Sequence, residues 1–270
     1  VLCISNTHRS LQPLKAVATA TFKSLLRQRI TPFMLVLGGL FMGLGLLLSS
    51  VDLGVRYRLF ENILLSAQIF LLHALAWLYL FEVLRQEQAL NLCVLPLSAG
   101  IPRAHYYAAK FLGVLGIVLL YGLFFVLVDA LLMWLIEGQW RVPVLLQVSL
   151  FVVSAVLAMA LLWFFAAFVS PINAVIYSIL LWFIGHGLDE LWIVVSQQLG
   201  GLAMFVVTAG YYLLPNFSFF DLMSLTVNQQ PMAWAAYFFG VFYGLGYSLI
   251  LVGFANYLYG KKAVFPVASV

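Results

Sequence analysis

Apolar runs of about twenty residues recur along this chain, the length an α-helix needs to cross roughly 30 Å of hydrocarbon. Hydrocarbon offers no partners to backbone N–H and C=O groups, so a spanning segment satisfies them internally as a helix or closes into a barrel. The short alternating segments of a barrel are missing, which leaves helices. Composition agrees. Of 270 residues, 65% are hydrophobic and 8% charged, and the mean hydropathy is +1.09. That is too little charge to coat a soluble domain of this size. The sequence predicts an all-α polytopic membrane protein, one transmembrane domain over residues 1–270.

The runs predict six spans, at about 32–50, 62–84, 109–136, 144–169, 172–187 and 232–259. Ahead of the first, residues 11–30 place Lys15, Lys23 and Arg27 on one helical stripe, an amphipathic elbow helix suited to the headgroup layer. Thr31 and Pro32 read as an N-cap and first helical turn, and the first run reads as a retained span rather than a cleaved signal. Residues 51–61 read as an external loop. Between 188 and 230, Asp189 and Glu190 end the fifth span early and QQLGG splits the next apolar stretch. Two short interfacial or re-entrant helices on the outer side are expected there.

Orientation follows from the basic residues. With both termini inside, the inner side carries ten (Arg9, Lys15, Lys23, Arg27, Arg29, Arg85, Arg103, Lys110, Lys261, Lys262) and the outer side three (Arg56, Arg58, Arg141). This bias accounts for the net charge of +4 without nucleic acid as a partner. Cys3 and Cys93 form no disulfide framework, and both fall on the reducing side.

The stretch 81–113, FEVLRQEQALNLCVLPLSAGIPRAHYYAAKFLG, is the polar exception between two spans. A plain connection is normally shorter. Here a charged helix with Leu92 and Leu95 among polar neighbours is expected to close sharply at Pro96 and Pro102. It would lie along the inner leaflet at 85–103 as a docking element. This stretch resembles the coupling region of type-2 ABC exporter permeases. The likeness lies in Glu82 at the end of the second span, then Arg85, then Leu92 to Ser98 as a Leu-x-x-Leu-Pro-Leu-Ser turn, and Lys110 opening the third span. The segment Tyr211 to Leu222 and the elbow helix are similar to that family as well. Gln88 and Ala89 stand where the family often carries Gly-Thr.

The resemblance implies the membrane-spanning subunit of an ATP-driven exporter in a bacterial inner membrane. Two copies of a separate ATPase would carry the ATP and magnesium. A second copy of this chain or a similar permease would complete the path, with room for accessory external proteins. Glu82, Arg85, Leu92, Leu95, Pro96, Ser98, Arg103 and Lys110 would form the ATPase-docking surface and its anchors.

Small residues give a second signal. Gly39 and Gly43 in the first span and Gly240 and Gly244 in the last form GxxxG spacings, which let helix backbones approach closely. Packing within one subunit is the first reading, a dimer seam the second. Intramembrane polar residues give a third. Asp129 is the foremost candidate for a pathway or structural role, with Tyr211, Tyr212 and Phe219 grouped at the expected outer mouth, where they read equally as an exit lining or as interfacial belt residues. Asn256 is a further polar residue within the last span, and His73 and His186 read as hydrogen-bonded packing residues, with no metal-ligand spacing around them. Catalytic motifs are missing, including the phosphate-cradling P-loop, so ATP hydrolysis requires another chain. The alternative function is an ion-coupled secondary transporter using Asp129. It predicts independence from an ATPase.

Overall fold

The computed structural model describes residues 4–49, 56–90, 101–198, 201–228 and 230–261. They form an all-α bundle. In chain order the helices are α1 (Ile4–Leu26), α2 (Ile30–Ser49), α3 (Arg56–Leu90), α4 (Arg103–Glu137), α5 (Val142–Ala166), α6 (Pro171–His186), α7 (Leu188–Gln198) and α8 (Gly201–Leu213). A 3-10 turn (Ser218–Phe220), α9 (Met223–Val227) and α10 (Trp234–Lys261) complete it. Among the described residues four helical stretches are long and apolar enough to cross a membrane: Arg58–Ala89, Arg103–Leu135, Val142–Ala166 and Trp234–Lys261. Ile30–Phe41 and Pro171–His186 are shorter apolar helices. All six expected spans therefore coincide with apolar helices, four of them of full spanning length.

Helix α5 is the axis. It packs against α3, α4, α6 and α10, and Leu150, Phe151, Leu157, Leu161 and Trp163 point in different directions yet are all buried. A helix that is apolar all round finds its place in the middle of a bundle. Helix α10 is the opposite case. It buries Gly240, Gly244 and Ser248 and exposes Phe242, Leu249, Ile250 and Phe254, a surface matched to lipid.

Helix α1 begins earlier than the expected elbow and packs along α4. Contact is close because Gly113 has no side chain. A Cβ there would meet Thr21 Cβ at 2.7 Å and the Ala18 carbonyl at 2.9 Å. Lys15, Lys23 and Arg27 remain exposed, as the stripe predicts.

Three sequence expectations need correction. Thr31 does not cap α2. Its hydroxyl donates back to the Leu25 carbonyl (3.1 Å) and bonds the Tyr79 hydroxyl (2.7 Å), pinning the α1–α2 junction to α3. Residues 56–61 belong to α3 rather than to an external loop. Residues 85–90 are the last turns of α3 rather than the start of a separate helix, and α4 opens at Arg103, ahead of the expected third span and within the expected 85–103 segment. The cause is local: Arg85 and Gln86 both bond Glu82, and such i,i+3 and i,i+4 pairs carry a helix beyond its apolar stretch. Residues 91–100, with Leu92, Leu95, Pro96 and Ser98, lie outside the described residues.

Candidate functional site

Three polar clusters punctuate the bundle. The first ties the C-terminal end of α3 to the start of α4. Glu82 is held within its own helix, with Arg85 Nε and Nη2 donating to its two oxygens at 2.9 and 2.8 Å. Arg85 is mostly exposed, with 59% of its side chain open. The bond across the connection is made by Glu87 rather than Glu82. Glu87 Oε1, buried, accepts from Lys110 Nζ at 2.8 Å and from the Tyr106 hydroxyl at 2.7 Å. Aromatic contact carries this cluster inward. Tyr107 stacks on Tyr259 of α10 at 4.4 Å and touches Trp163 of α5, whose Nε1 donates to Asn256 Oδ1 at 3.1 Å.

The second cluster is intramembrane by position and lies toward the other end of α3, α4 and α5. Asp129 is fully buried. Gln68 Nε2 donates to its Oδ1 at 2.6 Å, while its Oδ2 and Gln68 Oε1 are buried without a hydrogen-bond partner. One turn or two nearer the helix ends, Arg141 Nη1 donates to Glu61 Oε1 at 2.5 Å. Asp129 and Glu61 line one largely enclosed cavity whose other walls include Phe60, Leu64, Leu65, Leu132, Met133 and Val144. A water's centre has about 10 Å³ of room in it, about the least that holds one water molecule.

The pairing follows from helix geometry. Glu61 and Gln68 are seven residues apart, two turns, and so share a face of α3. Arg141 is the extended residue just before α5, where its side chain reaches back to that face. Glu61 is largely buried, and separating the pair would leave its charge uncompensated.

The third cluster surrounds Asp189 at the start of α7. Tyr211 and Asn216 donate to Asp189 Oδ1 at 2.8 and 2.7 Å, and Ser218 donates to Oδ2. Partial burial raises the carboxyl, but these three donors outweigh it and hold it below the ordinary carboxylate range. The Tyr211 hydroxyl is pushed up in return, chiefly by its bond to Asp189.

The expected path residues divide among these clusters. Asp129 belongs to the second and Tyr211 to the third. Tyr212 is exposed, and Phe219 packs edge-on against Phe239 and Tyr243 of α10. The two GxxxG pairs also part. A Cβ at Gly240 would meet the Phe219 carbonyl at 2.8 Å and one at Gly244 would meet Val153 at 2.4 Å, so the last helix uses its small residues inside the subunit. Gly39 and Gly43 have nothing within 4 Å of such a Cβ.

His73 is a satisfied packing residue. Its Nδ1 donates to the Ile69 carbonyl at 2.7 Å, which leaves Nε2 to accept from Ser154 at 3.0 Å. Trp77 donates to Ser178, which donates to the Ala158 carbonyl. His186 bonds the Trp182 carbonyl and stacks on Phe217. Among the described residues no three acidic, His or Cys side chains converge as a metal site would require.

Sequence reasoning missed Glu61, Gln68, Arg141, Glu87 and Tyr106 as site residues. The seven-residue spacing of Glu61 and Gln68 was the available signal. No protein-family model matches this chain, and no curated protein matches it.

Proposed function

We propose that this chain is a membrane transporter whose ion-handling centre is the buried carboxyl of Asp129, working as an ion-coupled carrier. One observation carries the reading: a carboxyl buried within a bundle of apolar helices keeps one oxygen unpartnered, and its residue lines a cavity together with a second acidic residue. A group so costly to bury is retained where it exchanges a charge. With the orientation expected from the basic residues, Glu61 and Arg141 stand on the outer side of Asp129 and the Glu87–Lys110 pair on the inner side. The test is the purified chain in liposomes, without ATP. It should dissipate an imposed ion gradient, and Asp129→Asn should not. Silence of the chain alone, with activity only when ATP and an ATPase are supplied, would replace this reading with the next.

The second reading is the permease subunit of an ABC exporter, with two ATPase copies and a second permease. It is favoured by the Glu87–Lys110–Tyr106 tie. A push on the 91–102 connection would pass through this tie into α4, α5 and α10. Arg85, with its exposed guanidinium, and Leu95 are its docking residues. Under this reading Arg85→Glu and Leu95→Asp each lose the co-purifying ATPase. Wild-type recovery of the ATPase by both variants rejects it.

A further inference from the structure

The geometry points to a proton, and no metal ion, as the species held between Asp129 and Glu61, with Arg141 as the group that competes with it for Glu61. This rests on the ion-coupled reading above and names its ion.

The wall of the cavity decides the chemistry. Among the described residues lining it, only Glu61 and Asp129 carry side-chain oxygen; the others are Phe60, Leu64, Leu65, Leu132, Met133 and Val144. Their backbone carbonyls belong to α3, α4 and α5, whose helical bonds already use them. A calcium ion takes about six to eight oxygens and magnesium about six, far more than two side chains supply. The room is that of a single water. A guanidinium already sits against Glu61, and a metal cation there would be repelled by it. A proton needs no coordination shell, only one oxygen and a path.

Asp129 Oδ2 supplies the oxygen. It is buried, without a hydrogen-bond partner, on a residue lining the cavity, while Oδ1 is fixed by the Gln68 amide. Among the described residues few other charges face it. On α3 the ionisable neighbour is Glu61; on the α5 side it is Arg141, acting through Glu61. Gln147 of α5 is neutral and bonded to Phe220 and Leu222. Helix α2 carries no titratable side chain. Helix α1 meets α4 at Gly113 and Gly116, about 20 Å along the helix from Asp129. Tyr259 of α10 packs near Tyr107, farther still.

The transfer is then balanced. A proton from outside binds a Glu61 carboxylate oxygen, and the neutral carboxyl no longer holds Arg141. One water in the cavity takes the Glu61 proton and gives one of its own to Asp129 Oδ2. Glu61 returns to a carboxylate and pairs with Arg141 again, closing the entry behind the proton.

The experiment is infrared difference spectroscopy of the full chain in lipid nanodiscs, with pH steps and transfer into deuterated water. Wild type should show a protonated-carboxyl band that responds to pH and is unmoved by exchanging potassium for sodium or adding calcium. Asp129→Asn should lose the band. Glu61→Gln should keep it but slow its deuterium exchange tenfold or more, and Arg141→Gln should speed that exchange. Each variant is first checked for a wild-type helical spectrum and a single elution peak, and Asp129→Glu should restore a band where Asp129→Asn has none. A band that survives in Asp129→Asn, or one displaced by sodium or calcium, overturns the proposal. The gradient assay separates the two claims. A band behaving as described, with no gradient dissipated in liposomes, leaves the proton site standing and removes the carrier.

Discussion

Lys110 Nζ lies 2.8 Å from Glu87 Oε1, so the last turn of α3 and the second turn of α4 are bonded directly although the chain between them runs through more than twenty residues. Both side chains are largely buried, at 16% and 5% exposure. Removing one member of such a pair leaves the other charge uncompensated, at a cost of about 3 kcal/mol or more. We expect Glu87→Ala to lower the unfolding midpoint in detergent by this measure. The double variant Glu87→Ala/Lys110→Ala should lose less than the sum of the two single variants, and additive losses would show that the pair is not coupled.

Gly113 tests the seam between α1 and α4. Its missing Cβ faces a backbone carbonyl as well as Thr21, so the neighbour cannot simply rotate away. Gly113→Ala should cost about 1–3 kcal/mol through overpacking and should expose α1 to limited proteolysis. Gly39→Ala, with open space around it, should leave stability of the single subunit unchanged or slightly improved. Equal effects of the two changes would contradict the seam.

The Trp77–Ser178 bond is suited to a cycle. Ser178→Ala strands the indole N–H of a buried tryptophan, with an expected loss of about 1–3 kcal/mol. Adding Trp77→Phe removes the stranded donor, so the double variant should recover part of the loss. Thermal unfolding followed by tryptophan-independent circular dichroism reads both.

Asp189 gives the pH dependence. Its carboxyl is held low in the folded protein by three donors. Such a group contributes stability above the unfolded carboxylate value of about 4, and that contribution is lost as pH falls through the lower folded value. Acidification from pH 5 to pH 3 should therefore loosen the 188–218 region, seen as faster amide exchange there. In Asp189→Asn the same step should change that region little. A region equally acid-sensitive in both proteins would assign the effect to another group.

Helix positions were legible because apolar length is a one-dimensional property. Helix ends were less so. The run from Glu82 to Leu90 is polar, and polarity marks where hydrocarbon stops, not where a helix stops. Asp129 stood out as a lone charge among apolar residues. Glu61 and Arg141 did not stand out. In sequence each falls where an outer connection was expected, a place where a charge needs no explanation, and only folding brings together two residues eighty positions apart. The same holds for Glu87. Its bonds to Lys110 and Tyr106 depend on how α3 is rotated against α4, which no composition reveals.

Gln147 lies on the axial helix with its amide spanning the Phe220 carbonyl (2.9 Å) and the Leu222 N–H (3.0 Å). A ribosome makes those two partners more than seventy residues after it makes Gln147. During synthesis the amide must therefore wait in a greasy surrounding with neither bond formed. The 217–222 strap is thus the last-made partner of this amide, and chains stopped short of it should be the ones a quality-control protease removes.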